Sequence, residues 1–149
     1  MEPTEEDEPP MSYVPVQIVG VIAEEVGSPR NDGSRGSGLY SVPVALSRSL
    51  SSDEASLMKA LWDSPPSFTT MHRPGIARVV GDRITLDGTT VEEVERYHAT
   101  TLARIVEKFN VDAAALVERR GREQSEAGEA EAEHRRRVDE VSSRIKFEP

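Results

Sequence analysis

Val94, His98, Leu102, Ile105 and Phe109 recur at spacings of 4, 4, 3 and 4 residues. Only an α-helix places residues with those spacings on one face, and a face so continuously apolar must be covered along most of its length. Thr90 followed by Glu93 has the capping-box form that opens such a helix, the hydroxyl accepting a backbone N–H while the carboxylate reaches back. The rest of the chain must therefore supply a surface that covers about four turns of helix.

Material for that surface is concentrated in the centre of the chain. Residues 11–111 hold 27 of the 33 Leu, Ile, Val and Phe residues, and the 48 flanking residues hold 6. The centre can build a core, whereas the ends cannot build one alone. Charge divides the same way. Residues 1–10 carry five acids and no base, residues 11–111 carry 10 bases and 12 acids, and residues 112–149 carry 8 bases and 10 acids. Three segments follow: a disordered acidic tip over 1–10, a single domain over 11–111 and a charged helical tail over 112–149.

Within the centre, Tyr13 to Ala23 reads as a strand apolar on both faces, with Pro15 near its start. Gly27 to Gly38 (GSPRNDGSRGSG) reads as a flexible connection. Leu39 to Leu46 reads as a second strand through Val42, Val44 and Leu46, with Pro43 placing it at an edge or a bulge. Ser51 and Glu54 form another capping-box pair, opening a helix over 52–63 that buries Leu57, Met58 and Leu61 and stops before Pro65 and Pro66. Ile76–Val80 and Arg83–Leu86 make a hairpin around Gly81 and Asp82, and Asp87-Gly88 turns the chain away from it. The expected fold class is α+β, with a mostly antiparallel four-stranded sheet and two packed helices in the order ββαββα. A separate charged C-terminal helix follows.

In the tail, Gly121 and Gly128 each cost about 1 kcal/mol relative to alanine inside a helix, so helix is expected to resume only from Ala130. His134, Val138, Val141 and Ile145 then recur at spacings of 4, 3 and 4, the seam of a coiled coil of about two heptads. Val138, Val141 and Ile145 are its association residues. Two heptads are marginal alone, so the segment needs a surface to dock on: a protein partner, a second copy (self-association) or the body of its own chain.

Several functions are excluded by composition. A chain without cysteine has no disulfide framework, thiol nucleophile or cysteine-based zinc site. Its longest predominantly apolar stretch, 11–23, is too short to span a bilayer. The acidic N-terminus is unlike a secretory leader, so a cytoplasmic protein without membrane contact is expected. No segment has the basic excess of a nucleic-acid surface, and Arg135-Arg136-Arg137 sits among carboxylates suited to intrahelical ion pairs.

Four chemical arrangements merit weighing. The glycine-rich stretch lacks the GK[ST] or GxGxxG signature of a phosphate-binding loop and leads into a strand, so it is read as a linker. Glu95…His98 and Glu131…His134 have the ExxH spacing of di-iron bundles. Neither has enough companion carboxylates, so no metal and no cofactor are expected, and His98 is read as a hydrogen-bonded histidine. A triad assembled from Thr69 or Thr70, His72 or His98, and Asp82 or Asp87 lacks a nucleophile elbow. The best candidate surface is the loop Ser64–Gly75 with Trp62 just before it. It gathers Trp62, Phe68, His72 and Arg73: aromatics, an imidazole that can relay protons, and a guanidinium that can clamp a carboxylate or phosphate.

The leading expectation is a small non-catalytic interaction or regulatory protein that associates through its C-terminal helix and an exposed aromatic, histidine and arginine loop. The alternative is a small enzyme or ligand-binding domain with its pocket at that loop, using His72 and His98. A regulator that mimics nucleic acid through the acidic tip is a third and weaker reading.

Overall fold

The computed structural model describes residues 12–149, and the expected acidic tip lies outside the described residues. The element order is β1 (Ile18–Val21), β2 (Tyr40–Leu46), α1 (Ser52–Asp63), β3 (Ala77–Val80), β4 (Arg83–Thr89) and a long final helix. That helix, here α2, comprises an α-helical turn at Val91–Glu93, a π-helical turn at Val94–His98 and an α-helical run at Ala99–Arg144. The four strands form one sheet in the order β1-β2-β4-β3, and all three pairings are antiparallel. This is an α+β fold with the chain order ββαββα.

The chain divides into two compact units. Residues 14–113 form one, and residues from 114 onward belong to the other. The core of the first unit follows the period-2 rule of strands and the 3.6-residue rule of helices. Val42, Val44 and Leu46 of β2 are buried, and Val42 and Val44 lie opposite Leu86 and Ile84 of β4. Ala77 of β3, Met58 and Trp62 of α1, Val94, Leu102, Ile105, Val106, Phe109 and Ala113 of α2, and Val16 and Leu50 outside the elements join them. All five residues of the expected α2 face are buried.

Local chemistry explains most element boundaries. At the start of α1, Ser51 Oγ accepts from Glu54 N at 3.2 Å and Glu54 Oε1 accepts from Ser51 N at 3.0 Å, so both halves of the capping box form. The β3–β4 hairpin turns on Gly81 with φ +61°, and Asp82 has no positive φ. Glycine is required at the first central position of a type II′ turn, so Gly-Asp is the order this hairpin needs.

The structure departs from the sequence expectations at six places. The first strand is paired only over Ile18–Val21, with an irregularity between Ile18 and Gly20, and Val14, Val19 and Val21 are exposed. It is an edge strand with one solvated face, since among the described residues no further strand or helix covers its outer side chains. Upstream of it, Val16 is held by a side chain instead of a strand: Asn110 Oδ1 accepts from Val16 N at 2.8 Å, and Asn110 Nδ2 donates to Val16 O at 2.9 Å.

Pro43 lies in an interior strand, contrary to the edge position its missing N–H suggests. Its carbonyl accepts from Ile22 N at 2.9 Å, just past the end of β1. Within an antiparallel ladder the N and C=O of one residue point the same way. The missing donor therefore faces the point where the β1 ladder stops.

Asp87-Gly88 does not turn the chain away. Ser41 lies opposite Asp87 and Tyr40 opposite Thr89, so Gly88 is an extra residue, a bulge with φ +109° inside β4. The stretch 27–38 is not a free linker either, since Arg30 N donates to Leu39 O and Gly38 N to Arg30 O. In α1 the fully buried positions are Met58 and Trp62, with Leu57 and Leu61 half-buried. Finally, Gly121 and Gly128 do not interrupt the helix, and the tail is a continuation of α2 rather than a separate element. About 1 kcal/mol per glycine is less than the cost of nucleating a second helix in so short a tail.

Candidate functional site

Trp62 closes the last turn of α1 and is only 1 % exposed. The loop that follows folds back over it. Trp62 Nε1 donates to Arg73 O at 2.9 Å, and His72 Nε2 lies 2.8 Å from Trp62 O. A carbonyl can only accept, so that imidazole nitrogen carries the proton and donates. The rings of Trp62 and His72 are 4.4 Å apart between centroids, and Gly75 N donates to Asp63 Oδ1 at 2.8 Å. The three hydrogen bonds across the loop, with prolines at 65, 66 and 74 stiffening its ends, make it part of the core cover.

Trp62 therefore belongs to the interior, which corrects the expectation of an exposed aromatic. Trp62 lies within the expected helix over 52–63, four residues after Met58 and so on the same buried face, although its place beside the prolines groups it with the loop that follows. His98 packs edge-on against the same indole at 5.5 Å and is fully buried. Its ring nitrogens have no hydrogen-bond partner among the described residues, nor do His72 Nδ1 and Thr69 Oγ1. The expected hydrogen-bonded histidine is thus a histidine used for shape. Burial holds its pKa below the ordinary value, against the opposing pull of Glu93.

Arg73 does clamp a carboxylate bidentately, but that carboxylate is Glu93. The contacts are Nη1 to Oε1 at 2.8 Å and Nη2 to Oε2 at 2.9 Å. Arg73 Nη1 also donates to Gly88 O at 3.1 Å, a carbonyl placed by the bulge, and Thr89 Oγ1 donates to Glu93 Oε1 at 3.0 Å. Hydrogen bonding by Arg73 holds the Glu93 carboxyl below its usual range, and Glu93 in turn raises Arg73. The Thr90 capping pair is consequently half-used: Thr90 Oγ1 accepts from Glu93 N at 3.1 Å, while the Glu93 carboxylate turns to Arg73. Glu93 is the site residue that sequence reasoning assigned only to a cap. No spacing rule links it to Arg73, twenty residues away.

Of the four candidate residues, Phe68 is the one that remains outward, 69 % exposed, its ring 5.8 Å from that of His72. It borders an open cleft of about 370 Å³ lined by Asp63, Pro65, Phe68, Thr70, His72 and Pro74, among others. The structure therefore brings Trp62, His72 and His98 together around one indole and leaves only His72 of the three on the cleft wall. The other arrangements do not assemble. Asp87 is engaged by Ser41 Oγ at 2.9 Å and by Arg30, and Asp82 lies in the β3–β4 turn beside Arg83. Glu95 is exposed while His98 is buried, so the first ExxH pair does not share a face. Among the described residues no group of three or more His, Asp or Glu is placed to hold a metal ion.

Val138, Val141 and Ile145 belong to the other compact unit. They are 36, 42 and 52 % exposed, and every residue from Arg122 to the end is exposed. The arginine run is partly paired as expected, Arg135 with Glu131 at 3.5 Å and Arg136 with Glu133. Among the described residues no helix is long and apolar enough to cross a membrane. No protein-family model, curated protein or solved structure matches the chain.

Proposed function

We propose that this is a small non-catalytic interaction protein that associates through its C-terminal helix. One observation carries the reading: three large apolar side chains, Val138, Val141 and Ile145, recur at spacings of 3 and 4 on a helix segment where every residue is exposed. A glycine-containing segment of that length gains little from propensity, and most helical stability in proteins comes from burying one face. Full burial of three such side chains contributes on the order of 1.5–3 kcal/mol each, enough to offset part of the ordering entropy. The groups best suited to chemistry support a non-catalytic reading, since Arg73, Glu93 and His98 are committed to holding the fold.

The test compares wild type with a Val138→Ser, Val141→Ser, Ile145→Ser variant by light scattering and by affinity capture from cell extract. The variant should keep the denaturation midpoint of the body and lose the assembly or the captured partner. An identical mass and an identical capture profile would reject the reading.

A second reading rests on the cleft beside Phe68 and His72, whose volume suits a small molecule. Here His72 is the polar contact, and His98, absent from the walls, takes no part. A thermal-shift screen against metabolites and nucleotides tests it. A stabilising compound that no longer acts on a Phe68→Ala variant would move the function to this cleft.

A further inference from the structure

We infer that the occupant of the C-terminal helix face is an amphipathic helix of another protein, with carboxylates along both of its margins, and not a second copy of this chain. The inference rests on the proposed docking role of that face and adds the chemistry of what docks. With Val138 and Ile145 at a positions of a heptad, His134 and Val141 fall at d. The e and g positions that border this seam are then Arg135, Arg137, Ser142 and Arg144. The margins carry three guanidiniums and no acid. The carboxylates of the same turns, Glu133, Asp139 and Glu140, fall at b and c, away from the seam. Arg135 is drawn back towards Glu131, whereas the side chains of Arg137 and Arg144 have no hydrogen-bond or ion-pair partner among the described residues.

In a two-helix pair the margins of one helix meet the margins of the other, g against e in parallel pairing and like against like in antiparallel pairing. In parallel pairing a second copy would set Arg137 against Ser142, Arg135 against Ala130 and Arg144 against Pro149, and in antiparallel pairing it would set Arg137 against Arg144, so it offers no carboxylate to any arginine. Six guanidiniums would surround a short seam, and like charges held together oppose association. A helix with glutamate or aspartate at its own e and g positions meets each guanidinium with a carboxylate, and arginine can engage it bidentately. Glu131, at the preceding a position, ends the apolar stripe on its N-terminal side. The docked length is then the stretch from His134 to Ile145, about three turns. The Ile145 amide still donates to Ser142 O at 3.3 Å, so the last apolar residue of the seam stays within the final turn.

The experiment uses the full-length protein and two labelled 21-residue peptides with the same leucine and isoleucine seam, one with glutamate and one with lysine at every e and g position. Fluorescence anisotropy should show the glutamate peptide binding at least tenfold tighter, with an affinity that falls as salt is raised. An Arg137→Glu, Arg144→Glu variant should reverse the preference. Both substitutions are on exposed positions, and far-UV circular dichroism verifies that the helix is retained. Equal binding of the two peptides, or no reversal in the variant, overturns the inference. A concentration-dependent dimer that an Arg137→Gln, Arg144→Gln variant tightens would show that a second copy is the occupant, overturning the inference while leaving the docking role intact. A wild-type protein that binds neither peptide and stays monomeric, like the triple serine variant, removes both.

Discussion

Arg73 and Glu93 carry the loop at the level of single residues. Their bidentate pair is partly buried and shares Thr89 and the Gly88 carbonyl, so breaking it leaves hydrogen-bonding groups with poor replacements. Glu93→Gln should cost about 1–2 kcal/mol, less than a fully buried pair because solvent reaches both groups. Urea denaturation checks this, and a loss below a few tenths would show the pair to be incidental. His98 makes a prediction of the opposite electrostatic kind. Burial favours its neutral form in the folded protein, so the unfolded chain takes up the proton first as pH falls through its ordinary value of 6.5. Stability present above that pH should decline as pH drops below it, until the lowered folded pKa is reached. A His98→Leu variant should keep its stability near pH 8 and lose that decline, which denaturation midpoints between pH 8 and pH 5 would show. Glu54 acts in a lower window. Bonded by Arg48, its pKa is lowered from 4.5 to about 2. The stabilisation it provides is complete above 4.5 and is lost as pH falls towards about 2, so a Glu54→Gln variant should show a shallower acid transition than wild type.

At the level of elements, two irregularities set the geometry that the site uses. The bulge at Gly88 keeps β4 in the sheet and frees a carbonyl for Arg73, and the π turn at Val94–His98 carries the first two residues of the buried stripe of α2. Neither has a sequence signature strong enough to be read in advance: Asp-Gly is equally a turn, and nothing in Val-Glu-Arg-Tyr-His distinguishes a π turn from an α turn. The helix beyond Ala113 makes a direct prediction. A Cβ added at Gly121 or Gly128 would meet nothing within 4 Å, and neither glycine has a positive φ. Alanine at either position should therefore stabilise the helix by about 1 kcal/mol, through propensity and the lower entropy of the unfolded chain. Amide hydrogen exchange over 115–144 should slow about fivefold for each substitution. Faster exchange would mean that the glycines serve a close approach by a partner.

For the whole molecule, residues 14–113 contain all four strands, α1 and every buried apolar residue named here. A fragment of residues 12–117, which keeps Ala113 and the helix turn after it, should unfold in one cooperative transition at a denaturant midpoint close to that of the full chain. A broad, non-cooperative transition would make the tail part of the folding unit. What the sequence determined alone was the part governed by local periodicity: the five-residue face of α2, the alternation of Val42, Val44 and Leu46, the Ser51–Glu54 cap, and through them the ββαββα order. Those signals survive because each residue's burial follows from its neighbours a few positions away. Only the tertiary structure decided that Trp62 and His98 pack against each other, that Arg73 is spent on Glu93, and that Pro43 stands in an interior strand. Each of these depends on which groups from distant positions meet. The free energy of such a meeting lies in desolvation and geometry between elements, and no run of neighbouring residues encodes it.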